Sequence, residues 1–73
     1  MNLPKEELLV FDGVVTNLMP SATFEVMLDN KAKVICTASG KLRKNRIRVL
    51  QGDRVKVELS GYDLSRGRIS YRY

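Results

Sequence analysis

The residues best suited to chemistry in this chain are cations, and they are concentrated in the stretch SGKLRKNRIRVLQGD. Five of the eight positions from 41 to 48 are basic and none is acidic: Lys41, Arg43, Lys44, Arg46 and Arg48. Residues 1–30 carry a net charge of −4, residues 31–48 carry +7 and residues 49–73 carry +2, which together give the chain's net charge of +5. Because a local field of one sign attracts and orients a polyanion, this distribution predicts an anionic partner.

A second group of cations, Arg66, Arg68 and Arg72, lies near the C-terminus. Arginine suits phosphate because its planar guanidinium forks onto two phosphate oxygens and also stacks on bases. If the fold brings both groups to one side, they form a phosphate-binding surface, and a patch touching ~4–6 phosphates gives a log–log salt slope of roughly −3 to −5. The alternative is a solvated charged face that only keeps the protein soluble.

Other kinds of chemistry have little support in this sequence. It contains no histidine for proton transfer at neutral pH, and its one cysteine, Cys36, sits at an inward strand position without an imidazole partner. No metal-ligand set and no glycine-rich phosphate cradle is present. We therefore expect neither an enzyme nor a cofactor.

The N-terminal segment MNLPKEELLVFDG matches neither a signal peptide nor a membrane span, and a lone thiol suits a reducing compartment. These features predict a cytoplasmic protein without a membrane partner. A monomer is the default expectation.

The apolar residues alternate with polar ones, which predicts strands with one face on a core. The segments are LLVFDGVVTNL, TFEVML, AKVICTA, RVKVEL and RISYRY. The predicted inward residues are Phe24, Val26, Leu28, Val34, Cys36, Ala38, Val55, Val57, Leu59, Ile69, Tyr71 and Tyr73. Between the last two strands, SGYDLSRG is predicted to form a loop that includes Arg66.

Only residues 39–47 break the alternation. Ser39 is a suitable N-cap for a helix from Lys41 to Asn45, with Leu42 as its apolar anchor. Gly13 in the long first strand predicts a bulge or bend that lets this strand pair in two sheets. The sequence therefore predicts an all-β, five-stranded OB-fold barrel with a short helix between strands 3 and 4. An SH3-like barrel is the structural alternative.

We expect one domain over residues 1–73, with residues 1–7 as a flexible N-terminus. Aromatic residues are few, and Phe24 and Tyr71 are assigned to the core. Tyr62 is expected in a loop, where it would either stack on a base or cover the barrel mouth. Few exposed aromatics favour recognition of a structured RNA by its shape and phosphates over the stacking of single-stranded bases.

The segment SGKLRKNRIRVLQGDRVKVELSGYDLSRGRISYR resembles bacterial translation initiation factor one, a single OB-fold domain of this size. The ordered combination of SGKLRKN, IRVLQGD and YDLSRGRI is the specific part of this resemblance. It implies a factor that binds the A site of the small ribosomal subunit, blocks premature tRNA entry and cooperates with the other two initiation factors. The cations that match the family's RNA-facing ones are Lys41, Arg43, Lys44, Arg48, Arg66, Arg68 and Arg72.

Four positions depart from the family pattern. Lys31 stands where glycine is common, so the second hairpin turn is expected to close differently. Thr37 replaces a ring residue, Leu42 replaces methionine, and Arg46 replaces an aromatic residue with another phosphate-seeking one.

Two other functions remain open from the sequence. A general RNA-binding OB module or RNA chaperone would bind naked single strands as well as it binds subunits. A protein-interaction barrel would instead direct its basic face to an acidic protein.

Overall fold

The computed structural model describes residues 8–73, so the expected flexible N-terminus at residues 1–7 lies outside the described residues. The elements, in chain order, are β1 (Leu8–Met19), β2 (Thr23–Leu28), β3 (Lys33–Ala38), α1 (Gly40–Lys44), β4 (Arg54–Ser60) and β5 (Asp63–Arg72). The strands close into a barrel in the order β1-β2-β3-β5-β4. The predicted five-stranded OB-type barrel with a helix between strands 3 and 4 is confirmed.

The first strand closes the barrel because it pairs on both of its edges. Residues 8–14 pair with β4 and residues 13–19 pair with β2, and the two ladders overlap at Gly13 and Val14. A Cβ atom on Gly13 would lie 2.6 Å from the carbonyl oxygen of Met27, so the close approach of β2 requires glycine there. The pairing of this strand on both edges, which Gly13 predicted, is confirmed, whereas the bulge lies between Val15 and Asn17.

The barrel interior is filled by the inward residues of all five strands together with two residues of the segment between β3 and β4. The core consists of Val15, Val26, Leu28, Val34, Cys36, Leu42, Val49, Val55, Val57, Leu59 and Ile69. Phe24 and Ala38 pack against it partly buried. The alternation therefore predicted the inward face correctly for β2, β3 and β4.

The start of β5 differs from the prediction. The strand begins at Asp63, so the loop predicted over residues 60–67 is only a turn at Gly61 and Tyr62, and Arg66 lies within the strand. Gly67 is required by packing, because a Cβ atom there would lie 2.5 Å from Cδ2 of Leu59 and 2.8 Å from Cγ1 of Val57. A glycine that resembles a loop signal is therefore a strand residue placed against a crowded core.

The end of β5 contains a second difference, which changes the surface. Lys56 pairs with Tyr71 and Val57 pairs with Ile69, so Ser70 is an extra residue at a bulge. Because a bulge reverses the alternation beyond it, Tyr71 lies on the outer side with Lys56. Tyr71 is 50% exposed and Tyr73 is 55% exposed, so the prediction that both side chains point inward is wrong.

The turn between β2 and β3 uses an unusual backbone conformation. Lys31 has φ 74°, in the left-handed region, and its N–H donates to the carbonyl of Leu28 over 2.9 Å. Asn30 Oδ1 accepts from the N–H of Ala32 over 3.0 Å. A lysine thus occupies a conformation that glycine adopts without steric cost.

Candidate nucleic-acid interface

The basic link, which we define as residues 40–50, begins at a helix cap fixed to β5. The Ser39 N–H donates to the carbonyl of Ile69 over 2.9 Å, and its side chain accepts from the N–H of Leu42 over 3.3 Å. Leu42 is only 2% exposed and enters the core. The predicted cap and anchor are both confirmed, and they hold α1 against the last strand.

The helix ends in a Schellman motif whose left-handed residue is an arginine. The N–H of Ile47 donates to the carbonyl of Leu42 over 3.0 Å, and the N–H of Arg46 donates to the carbonyl of Arg43 over 3.1 Å. Arg46 has φ 55°, a conformation in which glycine is usual. This turn ends α1 after five residues and directs the chain back toward Val49 in the core.

The side chains of the basic link point into solvent. All five of its cations are exposed, and none forms an ion pair with an acid among residues 8–73. Only Leu42 and Val49 of the link are buried. Among residues 8–73, no contacting acid therefore neutralises the positive field of this short, anchored segment.

Two of the three cations of β5, Arg68 and Arg72, are arranged differently, because they lie beside acids. Nη2 of Arg68 contacts Oε1 of Glu58 on β4 over 2.9 Å. Arg68 also lines a groove of about 290 Å³ with Lys41 of α1. Arg66 and Arg68 share a second groove of about 260 Å³. The structure therefore brings Lys41, Arg66 and Arg68 to neighbouring positions.

Arg72 connects the last strand to the basic link. Its Nη1 donates to the carbonyl of Arg48 over 2.9 Å, and its Nε lies 3.4 Å from Oδ2 of Asp53. The bulge at Ser70 shifts Arg72 into register with Val55, an inward residue of β4. The Arg72 side chain nevertheless remains 40% exposed, because it lies at the end of the strand.

Three predicted site residues stand apart from this arrangement. Arg43, Lys44 and Arg46 are exposed, and the structure of residues 8–73 gives their side chains no hydrogen bond to β5. The predicted site therefore has two portions that meet at Lys41 and Arg48. On β5, Arg68 and Arg72 contact acids, whereas the cations of the link form no ion pair among residues 8–73.

An aromatic cluster at the end of β5 was missed from the sequence. The rings of Tyr71 and Tyr73 meet edge to face with centroids 5.1 Å apart, and Nζ of Lys56 lies 6.0 Å from the Tyr73 centroid. The Tyr73 hydroxyl donates to Oδ1 of Asp12 over 2.6 Å, and this bond is the main cause that raises the pKa of Tyr73. The strict alternation of RISYRY concealed this cluster, and only the bulge exposes it.

The thiol considered as a nucleophile is buried. Cys36 is fully inaccessible in the core, and burial raises the pKa of its thiol to about 12. It remains protonated at neutral pH and is therefore a poor nucleophile. Within residues 8–73, no helix is long and apolar enough to cross a membrane.

Comparison with known proteins places this barrel in a family. The family model of translation initiation factor 1A / IF-1 matches residues 1–73. The chain belongs to the translation initiation factor 1A / IF-1 family. It is therefore an IF-1-type translation initiation factor, as the resemblance implied.

Two solved structures are similar to this member of the IF-1 family. Translation initiation factor IF-1 from the Wolbachia endosymbiont strain TRS of Brugia malayi is 48% identical, with a TM-score of 0.77 over 90% of this chain and 78% of that one. YjeQ from Thermotoga maritima is 24% identical, with a TM-score of 0.71 over 89% of this chain and 23% of that protein. The second likeness concerns the fold alone.

Two departures from the IF-1 pattern have clear structural settings. Leu42 keeps the buried anchor position of the link. Thr37 is exposed on β3 and pairs with Arg68 of β5. The position that lacks the family's usual ring therefore lies beside one of the candidate phosphate-binding arginines.

Proposed function

We propose that this IF-1-type factor binds the A site of the small ribosomal subunit through contacts to rRNA phosphates. There the barrel occupies the place of a tRNA, blocks its premature entry and cooperates with the other two initiation factors. The residues proposed to contact phosphate are Lys41, Arg43, Lys44, Arg46, Arg48, Arg66, Arg68 and Arg72. The protein acts as a cytoplasmic monomer.

The basic link is the observation on which this proposal rests. Its five cations are exposed, and they have no acidic partner among residues 8–73. An exposed cation that is not already paired can neutralise a phosphate and release the counterions condensed on RNA. Such a surface is suited to a polyanion.

The anchoring of the link supports recognition of a shaped RNA. Leu42 and the Ser39–Ile69 hydrogen bond fix α1 to the barrel, so its cations are held at defined positions. Arg72 then fixes the far end of the link through the carbonyl of Arg48. A charged surface held at both ends matches a fixed phosphate arrangement better than a flexible tail does.

The test is binding of labelled protein to purified small subunits across a salt series, with large subunits and free RNA as controls. We expect saturation at one protein per small subunit, a log–log salt slope of roughly −3 to −5, and competition by a tRNA held in the A site. Equal binding to every RNA without stoichiometry would overturn the proposal.

The aromatic cluster favours one other candidate function. The expectation of few exposed aromatics failed for Tyr71 and Tyr73, which lie on the surface near Lys56. Exposed rings beside a cation are suited to stacking on single-stranded bases. A general RNA-binding module is therefore the second candidate, and Tyr71→Ala with Tyr73→Ala would then weaken binding to unstructured RNA more than binding to subunits.

A further inference from the structure

Glu58 is an acid placed among the cations of the proposed RNA surface. It lies on the outer side of β4, directly opposite Arg68 of β5. Its Oε1 accepts from Nη2 of Arg68 over 2.9 Å. The Glu58 side chain is 25% exposed and the Arg68 side chain is 55% exposed, so the carboxylate is the better covered partner.

The position of Glu58 relates to both grooves on this surface. It lines the groove of about 290 Å³ with Lys41 and Arg68, and also the groove of about 260 Å³ with Arg66 and Arg68. One carboxylate therefore lies among three of the cations proposed to meet phosphate. The Glu58 carboxylate is positioned to compete with any other anion that approaches Arg68.

We propose that Glu58 is an internal counter-ion, which an RNA phosphate must displace from Arg68 when the factor binds. This inference rests on the proposed function and assigns Glu58 a role in setting the affinity of the same surface. The negative charge lowers the local positive potential, so every phosphate at these grooves is bound less tightly than the cations alone would allow. Weak or disordered polyanions are thereby disfavoured, since they must compete with a carboxylate already in place.

A different ion pair provides the comparison. Arg54 forms a two-point pair with Asp29, with distances of 2.9 and 3.1 Å. This pair joins the β2–β3 turn to the start of β4, and neither residue lines the two grooves. Removing the charge of Asp29 changes the net charge by the same amount as removing that of Glu58, without altering the grooves.

The substitution Glu58→Gln separates charge from position. The glutamine carbonyl oxygen still accepts from Nη2 of Arg68, so the arginine keeps its place while the negative charge is lost. Asp53, which lies beside Arg72, is less suitable for this purpose because its Oδ2 also accepts from the N–H of Leu50 over 2.8 Å. Asp29→Asn is the control for net charge, and Glu58→Ala removes both charge and contact.

The measurement is the affinity of the four folded proteins, wild type included, for small subunits across a salt series. We expect Glu58→Gln to bind roughly two- to fivefold more tightly than wild type, the effect of an exposed ion pair. The log–log salt slope of Glu58→Gln should steepen by up to about one unit, because Arg68 is then free to release counterions condensed on the RNA. Asp29→Asn should change affinity less than about twofold, because Asp29 lines neither groove and the loss of an exposed ion pair has a small effect.

The outcomes separate this inference from the function on which it rests. Unchanged or weaker binding by Glu58→Gln would overturn the counter-ion role. Unchanged binding by Glu58→Gln together with weaker binding by Glu58→Ala would show that Glu58 only positions Arg68. An equal gain in Asp29→Asn would also overturn it, because net charge alone would then explain the effect. Absence of wild-type binding to small subunits would instead overturn the proposed function.

Discussion

The basic link and strand β5 both present cations, but the protein treats the two groups differently. The link holds its five cations in solvent on a segment that contains one short helix and no strand. Strand β5 holds Arg68 beside Glu58 and Arg72 beside Asp53. Arg68 is paired with both β3 and β4, and Arg72 is paired with β4. The basic link is therefore highly charged and mostly irregular in backbone, whereas β5 is a regular strand whose positive charge is partly neutralised by acids.

This difference indicates a division of tasks within one surface. Unpaired cations extend a field into solvent and govern attraction and salt dependence. Cations paired with acids contribute less to the positive potential of the surface, but the strand and their acidic partners fix their positions. We infer that the link supplies most of the proposed affinity for phosphate and that β5 supplies a fixed edge against which the RNA is fitted.

The largest expected effect comes from reversing charge on the link. Arg43→Glu with Arg48→Glu should weaken binding to small subunits on the order of a thousandfold, because two attractive contacts become repulsive. Both side chains are exposed, so the stability of the barrel should change little. Affinity is measured across the salt series and folding by circular dichroism.

The control is Lys31→Glu with Lys33→Glu, which changes the net charge by the same amount as the link variant. Lys31 lies in the turn between β2 and β3, Lys33 is the first residue of β3, and both are outside the proposed site. If this control loses as much affinity as the link variant, net charge governs binding and the division between the two regions fails.

The next effect concerns the anchor of the link. Leu42→Ala should lower the free energy of unfolding by about 2–4 kcal/mol, the usual cost of truncating a buried leucine. Leu42→Met, which nearly conserves volume, should cost less than about 1.5 kcal/mol. Denaturant unfolding gives both values, and hydrogen exchange of the link amides shows whether α1 leaves the barrel.

Binding shows whether this anchor matters for the proposed function. A folded Leu42→Ala protein should bind subunits more weakly than Leu42→Met, since its cations are no longer held in place. Equal affinity of the two variants would mean that the link needs only its charge.

The link and the barrel could be predicted from the sequence because local signals determine them. Ser39 and Leu42 have the spacing of a cap and an anchor, and the alternation in β4 is uninterrupted. The charge of the link is a property of composition and needs no structure. These features depend on neighbours within a few residues.

The start of β5 and the bulge near its end could not be predicted in the same way, because contacts between distant residues determine them. Gly67 belongs to the strand because Leu59 and Val57 leave no room for a Cβ atom. The bulge at Ser70 arises in the pairing with β4, and nothing in RISYRY marks it. As a result, the alternation wrongly placed Tyr71 and Tyr73 on the inward face.

The smallest expected effect separates charge from backbone conformation within the link. Arg46 is left-handed at φ 55°, which costs a residue with a Cβ atom roughly 1–2 kcal/mol. Arg46→Gly removes that cost but loses about 0.5–1 kcal/mol to the greater freedom of the unfolded chain, so a net gain of about 0.5–1 kcal/mol is expected. Arg46→Ala loses the same charge and keeps the Cβ atom, so it should not gain stability.

Comparison of these two variants shows which property of Arg46 the protein uses. Both should bind subunits a few-fold more weakly than wild type, with a salt slope shallower by less than about one unit, because each removes one phosphate contact. Only Arg46→Gly should melt at a higher temperature, by about 2–8 °C for a domain of this size. Equal melting temperatures would mean that the left-handed turn is not strained, whereas equal binding to wild type would remove Arg46 from the proposed site. If both expectations hold, the protein keeps an arginine at a position suited to glycine because its charge is needed there.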